Sequence, residues 1–168
     1  MNDELIDDKD FGDAEKHAIG VMLRASADLL SDVHLDEVDS VALIINDHES
    51  PDEFSTELWV NDSDVVDQAV KSGVRLSEAR WLYEHWLPEA AKGEVLSSEA
   101  NPTTDRTRYY SLVVETVNQI RTRFSDLKGT LFLVDNNHDY DSLVVASVAA
   151  ANPDGQASEW LKSPPPDC

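Results

Sequence analysis

Residues 129–150 read GTLFLVDNNHDYDSLVVASVAA, and the rest of the chain is organised around them. Two apolar runs, 130–134 and 142–148, flank a short polar segment, 135–141. Val and Leu dominate the runs, and Asp and Asn dominate the segment between them. That pattern predicts a β-hairpin with a polar loop, in which Val134 and Val145 are buried strand residues. The other elements are expected to pack on this hairpin or pair with it.

Working outward from there, the region just upstream carries the longest helical signal. Tyr110, Val113, Val117, Ile120 and Phe124 recur at spacings of three and four, with Thr104 and Asp105 as cap residues. Arg106, Arg108, Arg121 and Arg123 lie off that stripe, and the last two suit the negative end of the helix dipole. Residues 91–104, rich in Ser and Thr with Gly93 and Pro102, read as a loop or linker. Before them, residues 77–88 contain Trp81, Tyr83 and Trp86 on a predicted helix that Pro88 ends.

The first half predicts a second hairpin. Residues 41–45 are continuously apolar, as in a strand buried on both faces. Residues 54–60 alternate, with Phe54, Thr56, Leu58 and Val60 on one face and Ser55, Glu57 and Trp59 on the other. Residues 61–64 offer helix caps, a short helix follows, and Gly73 ends it. Near the start, Phe11, Ala14, Ala18, Val21, Met22, Ala25 and Leu29 form a helical stripe, with Asp10 or Asp13 as its cap. After the central stretch, 152–155 reads as a turn and 156–161 as a last helical turn. The expectation is one α+β domain over 11–162, with a largely antiparallel sheet built from two hairpins and covered by helices. An acidic tail, 1–10, and a proline-rich tail, 163–168, flank it.

Composition narrows function. The formal net charge is −21 over 168 residues. Nucleic acid and anionic membrane surfaces are unsuitable partners for such a chain, because both demand clustered Lys and Arg. A basic protein partner suits it. The charge is uneven: residues 1–60 hold 17 acids and 3 bases. Solubility or adaptation to high salt is the competing explanation, favoured by 21 Asp against 13 Glu. The acidic start MNDELIDDKD lacks the basic and apolar pattern of a secretory leader, so a cytoplasmic location is expected.

Motifs for chemistry are missing. Asp135, Asn137 and Asp139 match the first three ligand positions of a calcium loop. Tyr140 replaces the glycine at the bend, and Ala146 replaces the bidentate Glu. The histidines, at 17, 34, 48, 85 and 138, form no HxxxH or HExxH pair, and one cysteine cannot build a zinc site. No metal, no cofactor and no catalytic residue are expected.

Four segments carry a family resemblance: WVNDSD, EARWLYEHWLPEA, LFLVDNNHDYD and SVAAANP. With their spacing, residues 11–155 resemble immunity proteins of bacterial polymorphic-toxin and contact-dependent inhibition systems. The resemblance implies a non-catalytic protein that blocks a cognate toxin by tight binding. The acidic start and the proline-rich end depart from it. The expected contact residues are acids at the hairpin ends, Asp47, Glu49, Asp52, Glu53, Asp135, Asp139 and Asp141, with Trp59 as an apolar anchor. An acidic binding or regulatory module without a toxin remains an alternative, as does an enzyme of unknown chemistry.

Overall fold

Strand β1, Val38–Asn46, is the axis of the molecule. In the computed structural model, which describes residues 4–47, 54–74, 92–127, 130–136 and 142–152, it has a partner on each side. Its apolar residues Val41 to Ile45 are all buried, because both faces and both edges of the strand are covered. Strand β2, Ser55–Asp62, runs antiparallel to it, with Val41 opposite Val60 and Leu43 opposite Leu58. Strand β4, Leu131–Asn136, lies on its other side and runs parallel, with Val41 beside Phe132 and Leu43 beside Val134. A short β3, Lys92–Leu96, adds to the free edge of β2, so the four strands lie in the order β3-β2-β1-β4. The sheet is mixed and mostly antiparallel, and with the four helices among the described residues it makes one α+β domain.

The alternation read in residues 54–60 is real. Thr56, Leu58 and Val60 are buried while Ser55, Glu57 and Trp59 are half-buried. The first hairpin therefore stands. The second does not. After β4 the chain forms a helix, α4, over Ser142–Ala151, instead of a returning strand. Leu143, Val144, Ser147 and Val148 are buried, at the i, i+1, i+4, i+5 positions of a helix face, and Val145 is half-buried. The pairing partner of β4 is β1, which a reading of adjacent segments does not find. The loop expected over 91–104 also holds structure: β3, then a 3-10 turn at Ser98–Ala100.

Three helices cover one face of the sheet. Helix α3, Arg106–Arg123, sits in the middle, between α1, Asp13–Leu30, and α4. The outer two reach down to the edge strands, α1 to β3 and α4 to β4. The fit over β3 is close: a Cβ on Gly93 would stand 3.2 Å from a Leu29 methyl. Tyr109, Tyr110, Val113, Val117 and Ile120 of α3 are buried against the sheet. Asp105 caps α3 by accepting the Arg108 N–H, as the sequence suggests.

The start of α1 differs from the expectation. Gly12 is the cap residue, and Glu15 reaches back to accept its N–H at 2.9 Å. Ala14 is exposed, and Ala18, Ile19, Met22 and Leu30 form the buried face. Helix α2, Ser63–Lys71, starts at Asp62, whose carboxylate accepts the Asp64 N–H, and is followed by Gly73 at φ 102. Residues 4–10, acidic by composition, are held against α3: Ile6 N–H donates to Ser111 Oγ at 2.8 Å, and Leu5 and Ile6 pack on the core. The predicted Trp-rich helix and the segments after 152 lie outside the described residues.

Candidate functional site

β1 and β4, running parallel, end side by side, with Ile45 next to Asn136. Asp47 follows β1, and the amino end of α3 lies above it. Four polar side chains converge there. Asp47 Oδ2 accepts from Arg106 Nε at 2.7 Å and from the Tyr110 hydroxyl at 2.8 Å. The Tyr110 oxygen in turn accepts from Asn136 Nδ2 at 3.0 Å and from Arg106 at 3.2 Å. The guanidinium also lies over the Tyr110 ring, 4.9 Å from its centre. Burial pushes the Tyr110 hydroxyl well above its ordinary pKa, and the Asp47 carboxylate adds to that, so the phenol stays protonated and donates. Only 7% of the Asp47 side chain is exposed, against 37% of Arg106.

This is a closed network. It ties β1, β4 and α3 together with a charged hydrogen bond, and it leaves Asp47 little freedom to meet a partner. Asp135 also lies inside the protein: it is 6% exposed, in β4 beside Ile44, on the sheet face away from α3. It is not a hairpin-loop acid. Trp59 is half-buried on that same far face. Its ring N–H donates to Glu57 at 3.1 Å, and the Lys92 ammonium stands 4.8 Å over its ring. Glu49, Asp52, Glu53, Asp139 and Asp141 lie outside the described residues. The structure thus places Asp47 and Asp135 near one end of the sheet, Asp47 in an internal pair and Asp135 within a strand, and keeps Trp59 apart from them.

The opposite end of the sheet is different. There β1 begins and β2 ends, with Val38 paired to Asp62. A 3-10 turn, Leu35–Glu37, leads into β1, α2 leads out of β2, and the turn Ser125–Leu127 packs against the first. These segments carry Asp36, Glu37, Asp62, Asp64, Asp67 and Asp126 at this rim of the sheet. Neither 31–39 nor 61–67 contains a Lys or Arg. Among the described residues, the ion pairs found are Arg106 with Asp47 and Arg108 with Glu15, and neither involves this rim. Sequence reading missed the rim because its acids come from separate segments. The one signal available was the cluster of acids around Asp36 and Asp64 at predicted element ends.

Among the described residues, no group of three or more His, Cys, Asp or Glu is placed to hold a metal ion. His17 and His34 are both exposed, on α1 and just before the first turn. No described helix is long and apolar enough to cross a membrane. Compared with models of known protein families, with curated proteins and with solved structures, the chain matches none.

Proposed function

We propose that this protein is a non-catalytic binder of a basic protein, acting as an immunity protein that neutralises a cognate toxin by occluding its basic active site. The observation that supports it best is the acidic rim where β1 begins and β2 ends. Its two main contributing stretches, 31–39 and 61–67, carry acids and no Lys or Arg. Such a clustering favours a local negative potential, which steers a cationic surface into contact and raises association rates by about 10 to 1,000-fold. A toxin that grips phosphates needs a cationic groove, and that groove is the natural complement. The location in the cytoplasm belongs to the same proposal, as does the absence of catalysis.

The rim replaces the loop acid Asp47 as the principal contact, since Asp47 is already neutralised by Arg106. The test is capture of the partner from host cells, followed by association kinetics against salt. A basic partner whose toxicity is abolished by co-expression, and whose association slows as salt rises, supports the proposal. Replacing Asp36, Glu37, Asp64 and Asp67 together with their amides is expected to slow association at least tenfold and leave the melting temperature nearly unchanged. A partner that is not basic, or association indifferent to both salt and these four changes, overturns it.

A further inference from the structure

Among the described residues β4 is the outermost strand on its side of the sheet, and a side chain meets its outer edge at Phe132. In an extended strand, the N–H and C=O of one residue point the same way, so those of Phe132 both face out from β1. Asn152, just past α4, meets both. Its Oδ1 accepts the Phe132 N–H at 2.8 Å and its Nδ2 donates to the Phe132 carbonyl at 2.6 Å. The same Nδ2 donates to the Val148 carbonyl at 2.8 Å, which ties α4 to the contact. Arg121 closes it from α3. It donates to Asn152 Oδ1 at 2.8 Å and to the Ala151 carbonyl at 3.0 Å, and its guanidinium lies 4.5 Å over the Phe132 ring. Asn152 is only 4% exposed.

The segment so fastened has two structural readings. Val144, Val145 and Val148 are β-branched and favour strands. Ala146, Ala149, Ala150 and Ala151 favour helix. Residues 137–141 separate it from β4, a length within the two to five residues that join hairpin strands. A returning strand and the Asn152 side chain need the same outward groups of Phe132, so the two arrangements exclude each other.

We propose that Asn152 and Arg121 form a latch that holds Ser142–Ala151 helical, and that its release turns residues 142–148 into a fifth strand paired with the outer edge of β4. The local pattern supplies the strand, and the latch withholds its place. The two states differ in the backbone hydrogen bonds of one ten-residue segment and in what covers the outer edge of β4, the kind of bistability on which fold switches rest.

Asn152→Ala and Arg121→Met, made separately in the full chain, test this by Cα chemical shifts and hydrogen exchange. The expected result is a cooperatively folded protein whose Leu143–Val148 shifts move from helical to extended values. The Phe132 amide should stay protected, and helical circular dichroism should fall by the share of one 10-residue helix. Folded variants that keep helical shifts at these residues overturn the proposal. Should both variants fail to fold, native-state exchange on the parent chain decides. Opening of the Leu143–Val148 amides ahead of β4 supports the latch, and opening only with global unfolding overturns it.

Discussion

The regions Val38–Asp62 and Leu131–Ala151 begin alike and finish differently. Each starts with a buried strand, followed by a polar connection and a second run rich in apolar residues. The first run returns as an antiparallel strand; the second returns as a helix. Periodicity separates them. In β2, polar and apolar residues alternate, so a strand buries one set and leaves Glu57 and Trp59 half-buried. In α4 only Ser147 interrupts the apolar residues from Leu143 through Ala151, so a strand gains no alternating face. A helix buries Leu143, Val144, Ser147 and Val148 on one side and leaves Ala149 and Ala150 exposed. What decides the second case is the neighbourhood: β4 is paired with β1 on one side and capped by Asn152 on the other. An ambiguous run takes the conformation its neighbours leave open.

The sharpest way to break this comparison is to place a charge on each of two adjacent valines. In a helix Val144 is buried and Val145 is half-buried; in a returning strand they would swap faces with the pleat. Val144→Asp is expected to cost about 4 kcal/mol or more, or to abolish folding, as an unpaired buried charge does. Val145→Asp is expected to cost less than half as much. Chemical denaturation of both variants checks the order, and equal losses would erase the distinction between the regions.

Next in size is Asn152→Ala. It strips partners from the buried N–H and C=O of Phe132 and from Arg121, whose pKa burial lowers from its ordinary value. For the arrangement with α4 helical, a loss of about 2–4 kcal/mol is expected in urea denaturation, and re-pairing of the Phe132 groups by residues 142–148 would make it smaller.

The carboxyl ends of the parallel pair join the two regions through Tyr110. Tyr110→Phe removes the hydroxyl that donates to Asp47 and accepts from Asn136, and is expected to cost about 1–3 kcal/mol. Alkaline absorbance titration gives a second check. Burial pushes both Tyr109 and Tyr110 upward, so neither should ionise before the protein unfolds.

The smallest effect lies outside both regions and serves as a control. Glu15 accepts from Arg108 at 2.6 Å; that hydrogen bond, with the Gly12 N–H, holds its carboxyl below the ordinary value despite burial. A depressed carboxylate adds stability above its unfolded-state pKa, about 4.3, and loses it as pH falls through the lower folded value. Glu15→Gln should therefore flatten the acid limb of the stability curve slightly, with the difference from the parent shrinking below about pH 4.

Much of the fold was legible in short stretches of sequence. Residues 41–45 and 54–60 specified a hairpin through continuous and alternating apolar patterns, and residues 61–64, Gly73 and the pair Thr104 and Asp105 marked helix ends where the structure has them. These features are local, because a cap or a face depends on residues within one turn or one strand. The large acid excess was also legible, being composition alone. The parallel pairing of β1 with β4, the strand in residues 92–96, the helical state of 142–151 and the burial of Asp47 were decided by tertiary structure. Each depends on a partner far along the chain: β4 for β1, β2 for β3, Arg121 and Phe132 for Asn152, Arg106 and Tyr110 for Asp47. Periodicity records which face of a segment is apolar, but it carries no information on which edge remains unpaired or which charge is already neutralised.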